Sequence, residues 1–175
     1  MPRVIGLLQR SVQIYPHRTA TRHLGRVHSW ADFAGRVERF AGALLRLGLR
    51  PGDRVAIAAR DSDRFAEAVF AVLWAGGVLQ PVNLRLAERE IADQITDAGT
   101  TVLIADQVGL DALGGTASQM PLLYLDDGDA PTGALYYEQA IAGKAAEKAS
   151  TRAGDDLAML IFTGGTTGRA KGVML

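Results

Sequence analysis

The most informative part of the sequence is Phe162-Thr163-Gly164-Gly165-Thr166-Thr167-Gly168-Arg169-Ala170-Lys171-Gly172. It holds four glycines, three threonines and one lysine. Glycine has no Cβ, so the backbone can take a positive φ and approach a ligand closely. Successive backbone N–H groups in such a turn bind anions. Threonine hydroxyls can donate hydrogen bonds or ligate Mg²⁺, and lysine adds a positive charge. The stretch therefore predicts a phosphate-binding loop.

This loop differs from the Walker A loop, which requires Gly-Lys followed by Ser or Thr. Here Ala170 precedes Lys171 and Gly172 follows it. Apolar runs at 157–162 and 173–175 predict a strand on each side of the loop. We therefore expect phosphate to be held with little help from a helix dipole. The alternative from composition alone is a glycine-rich hairpin without a ligand.

Composition limits the class of protein. The chain has 175 residues, and 48% of them are hydrophobic, which suits one folded domain with a real core. Nineteen basic residues balance nineteen acidic ones, so the charge gives no case for binding nucleic acid. The absence of cysteine excludes disulfides and a catalytic thiol. No run is long enough to span a membrane, and we expect a soluble, cytoplasmic protein.

Periodicity predicts alternating helices and strands. Helices are predicted at 4–15, 29–47, 61–75, 88–98, 108–113 and 135–142, and strands at 19–24, 26–28, 54–59, 78–82, 101–105 and 121–125. Residues 143–156 show no periodicity and are predicted to form a surface linker. Alternation of this kind indicates βαβ units, so we predict an α/β fold with a mainly parallel sheet and flanking helices.

Two other groups of polar residues could suggest a metal site. His23 and His28 lie on a predicted hairpin with no carboxylate near them in the sequence, and we interpret them as surface residues. Asp126-Asp127-Gly128-Asp129 is acidic enough to suggest a calcium loop. The other positions of an EF-hand are absent, so a solvated turn is favoured.

The glycine- and threonine-rich stretch resembles the phosphate-binding signature of the AMP-forming adenylate synthetases, aromatic-Thr-Ser-Gly-Thr/Ser-Thr-Gly-x-Pro-Lys-Gly. The matching residues are Phe162, Thr163, Gly165, Thr166, Thr167, Gly168, Lys171 and Gly172. Gly164 replaces the serine and Ala170 the proline, as in fatty acyl-CoA synthetases. The segments 30–33, 52–57 and 75–83 are similar to earlier parts of the same family, so the resemblance covers nearly the whole chain.

The resemblance implies that residues 1–175 are the N-terminal part of the large AMP-binding domain, a truncated N-terminal subdomain of the adenylate-forming fold. It implies activation of a carboxylic acid by ATP and Mg²⁺, followed by transfer of the acyl group to coenzyme A, and it favours a fatty acid as the substrate. The implied phosphate ligands are Thr163, Gly164, Gly165, Thr166, Thr167, Gly168 and Lys171, with Thr163 and Thr167 also at Mg²⁺. Lys171 would act as a counter-charge, and no catalytic residue is expected in this chain.

The motifs that follow this loop in the family are absent from the sequence. Our hypothesis is therefore an N-terminal fragment of an acyl-CoA synthetase that is inactive alone. Exposed apolar residues at Leu160, Phe162, Val173 and Leu175 would then favour self-association. The alternatives are a stand-alone nucleotide- or phosphate-binding module without catalysis, and an interaction domain whose loop is only a turn.

Overall fold

The computed structural model describes residues 4–146, 148–152, 154–163 and 170–175. The helices are α1 (Val4–Ile14), α2 (Trp30–Arg46), α3 (Asp63–Trp74), α4 (Glu88–Ala98), α5 (Gln107–Leu113) and α6 (Tyr137–Ala142). The strands are β1 (Thr19–His23), β2 (Arg26–Ser29), β3 (Arg54–Ala58), β4 (Val78–Pro81), β5 (Thr100–Ala105), β6 (Leu122–Tyr124), β7 (Leu135–Tyr136), β8 (Leu160–Thr163) and β9 (Lys171–Met174). A 3-10 turn at Gly114–Gln119 follows α5.

A five-stranded parallel sheet in the order β4-β3-β5-β6-β7 forms the centre of the molecule. Val55 of β3 pairs with Leu79 of β4 on one side and with Val102 of β5 on the other. Strands buried on both faces read as continuous apolar runs, and β3 and β5 do so. The predicted α/β fold with a mainly parallel sheet is confirmed. The two remaining strand pairs, β1-β2 and β8-β9, are antiparallel hairpins.

Helices cover both faces of this sheet. On one face α1, α2, α3 and α6 pack on residues such as Ile57 and Ile104, which are buried with Phe40 of α2. On the other face α4 and α5 enclose Leu103 with Ile91 and Leu113. Ile57, Ile104 and Leu103 are no more than 1% exposed, so the sheet is shielded from water on both sides.

Helix α2 shows how the sequence specifies its own boundaries. The Ser29 hydroxyl accepts a hydrogen bond of 3.1 Å from the Asp32 amide, and the Asp32 carboxylate accepts one from the Ser29 amide. This capping box satisfies backbone donors that the helix cannot pair internally. Gly48 takes a φ of 93° just after the helix, as a terminating glycine does.

The segment 135–142 differs from its prediction as a single helix. Leu135 and Tyr136 instead pair with Leu123 and Tyr124 as strand β7, and the helix α6 begins only at Tyr137. The pairing partner lies far back in the sequence, so local periodicity does not show it.

The linker is also more closely packed than predicted. We call residues 143–146 and 148–152 the strap. Ala146 of the strap is buried, and its amide donates a hydrogen bond of 2.9 Å to the Glu38 carbonyl of α2. The prediction of a simple surface linker is wrong there, because the strap lies against α2.

In the part of the chain that the structure describes, no helix is both long and apolar enough to cross a membrane. The cytoplasmic location stays a prediction.

Candidate phosphate-binding site

The β8-β9 hairpin brings together the two described ends of the predicted phosphate loop. Its register pairs Leu160 with Met174 at one end and Thr163 with Lys171 at the other. The Thr163 hydroxyl donates a long hydrogen bond of 3.5 Å to the Lys171 carbonyl. Two residues that lie eight positions apart in the sequence therefore face each other where the loop begins and ends.

The hairpin places Thr163 and Lys171, the two strand ends that the loop connects, at the carboxyl edge of the parallel sheet. Leu79 of β4 forms a parallel bridge with Met159, and its amide donates a hydrogen bond of 2.9 Å to the Ala158 carbonyl. Strand β8 thus runs in the same direction as β4, and the loop follows its carboxyl end. In open α/β sheets ligands bind outside the carboxyl ends of the strands. The position of Thr163 and Lys171 therefore fits a ligand site.

The charge at this position also fits an anion. Thr163 and Lys171 are both exposed. Within the described ranges Lys171 forms no salt bridge, since the ion pairs found there use arginine or histidine as the cation. Its ammonium group is available to a phosphate oxygen, for which lysine acts as a point charge.

Gly172 has a packing role at the base of the loop. A Cβ built on Gly172 would lie 2.9 Å from Leu160 Cδ1 and 3.7 Å from Phe162 Cε1. Glycine at this position lets β9 pass close to the side chains of β8. Phe162, which is half-buried, and Gly172, which is exposed, are register partners and form the two ends of the signature stretch.

The other predicted phosphate ligands, Gly164, Gly165, Thr166, Thr167 and Gly168, lie outside the described residues. Of the two threonines predicted at Mg²⁺, Thr163 stands at the entrance of the loop with an exposed hydroxyl, and Thr167 is not among the described residues. Across the described ranges no group of three or more His, Cys, Asp or Glu side chains could hold a metal ion. Placement of Mg²⁺ at the threonines therefore stays a prediction.

The interpretation of His28 as a surface residue is wrong. Its side chain is only 16% exposed, and Nε2 lies 3.6 Å from Oδ2 of Asp63. Asp63 comes from α3, far along the chain, so the sequence around the hairpin does not reveal this carboxylate. In the nearby acidic turn at 126–129, Asp127 is not only solvated, because it forms a salt bridge of 2.5 Å with Arg64.

The fold and the hairpin together define a class of protein: an α/β protein whose parallel sheet carries an antiparallel hairpin at one edge. The family follows from comparison, because residues 8–175 match the sequence model of the AMP-binding enzymes and the chain belongs to that family.

Several relatives of the chain are named as acyl-CoA synthases or acid–CoA ligases. A feruloyl-CoA synthase from an Amycolatopsis species is 33% identical over 95% of this chain and 32% of its own length. A long-chain-fatty-acid–CoA ligase from Thermus thermophilus is 34% identical, with the same two coverages. The chain thus spans about a third of the length of these curated relatives. Among solved structures, the N-terminal domain of FACL13 from Mycobacterium tuberculosis superposes with a TM-score of 0.84 at 25% identity, covering 100% of this chain and 44% of that one.

Proposed function

We propose that residues 1–175 form the N-terminal, phosphate-binding part of the large domain of an AMP-forming acid–thiol ligase, an acyl-CoA synthetase. The observation that supports this most directly is the pairing of Thr163 with Lys171 at the carboxyl end of β8. It sets a hydroxyl and an ammonium group on either side of a glycine- and threonine-rich loop.

The proposed reaction has two steps. A carboxylate oxygen of the acid attacks the α-phosphorus of ATP, the bond to the bridging oxygen breaks, and pyrophosphate leaves. The thiol of coenzyme A then attacks the carbonyl carbon of the acyl-adenylate, and AMP leaves. The first step brings two anions together, so its barrier depends on positive charge and hydrogen-bond donors placed at the phosphates.

In this proposal the chain supplies those groups. Lys171 neutralises charge on the β- and γ-phosphates, while Thr163, Thr166, Thr167 and the backbone N–H groups of residues 164, 165 and 168 donate hydrogen bonds. The hydroxyls of Thr163 and Thr167 would hold Mg²⁺, which adds further charge neutralisation. Lys171 need not act as a base, because the attacking carboxylate carries no proton to remove.

For the acid we propose a fatty acid. Gly164 and Ala170 depart from the general signature in the manner of fatty acyl-CoA synthetases, and one of the relatives reported above is named for long-chain fatty acids. The other is named for ferulate, an aromatic acid. Acids of both classes should therefore be assayed side by side, and preference for the aromatic acid would contradict the proposal.

Phosphate binding is tested on this chain by titration calorimetry with inorganic pyrophosphate and Mg²⁺. We expect Lys171→Ala to weaken binding by about tenfold or more, since hydrogen bonds to charged groups are strong. Lys148→Ala is the matched control, because Lys148 is another exposed lysine, on the strap. Equal affinities of the two variants would contradict the proposed role of Lys171.

The size of the native protein tests the proposal that these residues belong to a longer enzyme. An antibody raised against this chain should detect a band several times larger than 18.6 kDa in the source cells. The longer protein should then form acyl-CoA from ATP, acid and coenzyme A, and the 175-residue chain alone should not. A native band at 18.6 kDa together with tight ATP binding would favour the stand-alone binding module instead.

A further inference from the structure

The strap is joined to the central fold at the end of helix α3. The Ser150 amide donates a hydrogen bond of 2.8 Å to the Trp74 carbonyl at the last residue of α3. The Arg152 amide in turn donates one of 3.2 Å to the Ser150 hydroxyl. The strap therefore has a fixed position just before the chain enters the β8-β9 hairpin.

The Arg152 side chain continues this attachment toward the hairpin. Its Nη2 donates a hydrogen bond of 3.2 Å to the Leu157 carbonyl and lies 3.7 Å from Oδ1 of Asp156. The side chain is 26% exposed, so most of the guanidinium and its stem is in contact with protein. Arg152 thus holds the backbone one residue before Ala158, the residue that accepts the hydrogen bond from Leu79.

Two glycines at the amino ends of sheet strands leave space for the Arg152 side chain. Gly52 and Gly76 precede β3 and β4, have φ values of 88° and 86°, and are joined by a 2.9 Å hydrogen bond. A Cβ on Gly52 would lie 3.2 Å from Arg152 Nη1, and a Cβ on Gly76 would lie 3.5 Å from Arg152 Cδ. Arg152 is therefore packed across the amino ends of two sheet strands and bonded to the segment that leads into β8.

The direction of the β8-β9 hairpin depends on the backbone at Leu157, because the hairpin is attached to the sheet over a short segment at the start of β8. Leu79 joins it to the edge strand β4 through Ala158 and Met159, at the start of β8. Beyond that point Leu160, Ile161 and Phe162 are only half-buried, and all four residues of β9 are exposed. A change in the direction of β8 at its base would displace Thr163 and Lys171 at its tip.

We infer that Arg152 is a positioning residue for the phosphate loop: by fixing the backbone at Leu157, it sets the direction of the hairpin that carries Thr163 and Lys171. This inference rests on the proposed function for its chemical consequence. Arg152 does not itself contact the phosphate. The competing explanation is that Arg152 only holds the strap in place, which would leave the hairpin and its ligand unaffected.

Hydrogen exchange measured by mass spectrometry separates these explanations without any ligand. We expect Arg152→Met to speed exchange in the peptides that cover 157–163 and 171–175 by about fivefold, as for the loss of one hydrogen bond. Arg152→Lys, which retains one donor, should give a smaller increase. Arg89→Met is the matched control, since Arg89 is an exposed arginine on α4. Unchanged exchange in peptides from α2 and β5 will show that each variant is folded.

Pyrophosphate titration then tests the consequence for binding. We expect Arg152→Met to weaken binding by about fivefold, Arg152→Lys to restore most of it, and Arg89→Met to leave it unchanged. Faster exchange confined to the strap, or an unchanged pyrophosphate affinity, would overturn the inference. If the unmodified chain does not bind pyrophosphate, the proposed phosphate-binding function fails, and the exchange of the hairpin alone decides whether Arg152 positions it.

Discussion

The guanidinium of Arg36 donates a hydrogen bond of 2.9 Å from Nε to Oε1 of Glu67, whose carboxylate is completely buried between α2 and α3. The other oxygen, Oε2, has no hydrogen-bond partner among the described residues. Burial raises the pKa of Glu67 to about 7, Arg36 opposes this rise, and the charges of Asp63 and Glu138 add to it. Glu67 therefore gains or loses a proton near neutral pH.

This raised pKa predicts a loss of stability between acid and neutral pH. The folded protein holds the Glu67 proton more tightly than the unfolded chain, whose pKa is 4.5. The stabilisation is therefore fully present below pH 4.5 and is lost as the pH rises through about 7. Across that window Glu67 should lower the free energy of unfolding by on the order of 3 kcal/mol.

The measurement is urea unfolding at several pH values between 4.5 and 8 for the unmodified chain and for Glu67→Gln. Glutamine mimics the neutral carboxyl, so the variant should become relatively more stable as the pH rises. Two stability curves that run parallel over this window would contradict the assignment.

The ion pair between Arg26 and Asp63 predicts the opposite pH dependence, in which stability is lost as the pH falls. Arg26 Nε and Nη2 lie 2.7 and 2.8 Å from the two Asp63 oxygens, and the Asp63 side chain is fully buried. Burial alone would raise the pKa of Asp63, but hydrogen bonds and charge from Arg26 outweigh it and lower the pKa to about 2. The pair should therefore stabilise the fold above pH 3.8 and lose this effect as the pH falls toward 2.

Arg26→Met should destabilise the fold at neutral pH by about 3 kcal/mol, because it leaves a buried carboxylate without its main partner. Arg22→Met on the neighbouring strand is the control, since Arg22 is exposed. Thermal unfolding of both variants at pH 7 and pH 3 provides the check. The difference between them should shrink at the lower pH, and a difference that grows would rule out this account.

The contact between α2 and the strap can be tested by a pair of glycine substitutions in one helix. A Cβ on Gly42 would overlap the backbone carbonyl of Lys144 and lie 3.0 Å from the Ala146 amide. A Cβ on Gly35 would meet only the end of the flexible Arg39 side chain, at 3.4 Å. Alanine favours a helix over glycine by about 1 kcal/mol at either position.

We therefore expect Gly35→Ala to raise the free energy of unfolding, and Gly42→Ala to lower it by about 2 kcal/mol through overpacking. Chemical denaturation of the two variants measures this difference. Stabilisation by both substitutions would show that the strap moves aside at little cost, and would also weaken the inference about Arg152.

The sequence predicts much of the fold because its signals are local. The capping box of Ser29 and Asp32 and the apolar periodicity of α2 define that helix without help from the rest of the chain. Strand β7 has no such signal, since Leu135 and Tyr136 become a strand only by pairing with Leu123 and Tyr124. A two-residue strand of this kind depends on tertiary pairing.

The candidate site likewise contains residues that the sequence reveals and residues that only the folded structure reveals. The glycines, threonines and lysine of 162–172 carry their chemistry in the sequence. The structure pairs Thr163 with Lys171, because the two strands extend beyond the predicted ends at 162 and 173. Arg152 could not be found from sequence, because the turn that accommodates it comes from Gly52 and Gly76, far back along the chain. The contact of His28 with Asp63 was missed for the same reason.

The exposed apolar residues of β9, together with Leu175 directly after it, predict self-association. Val173, Met174 and Leu175 are 42%, 72% and 62% exposed, whereas Leu160 and Phe162, which were expected to be exposed as well, are half-buried. Strand β9 pairs with β8 on one side, and no described strand pairs with its other edge. An apolar strand edge of this kind favours pairing with a second chain.

Light scattering should therefore show a mass above 18.6 kDa that rises with protein concentration. Met174→Lys should shift the protein toward the monomer, because a charge at a strand edge opposes pairing. Leu24→Lys is the control, since Leu24 is 84% exposed but lies in the β1-β2 turn. An equal effect of the two substitutions would show that association does not use the β9 edge, and a monodisperse monomer at high concentration would show that the edge does not associate.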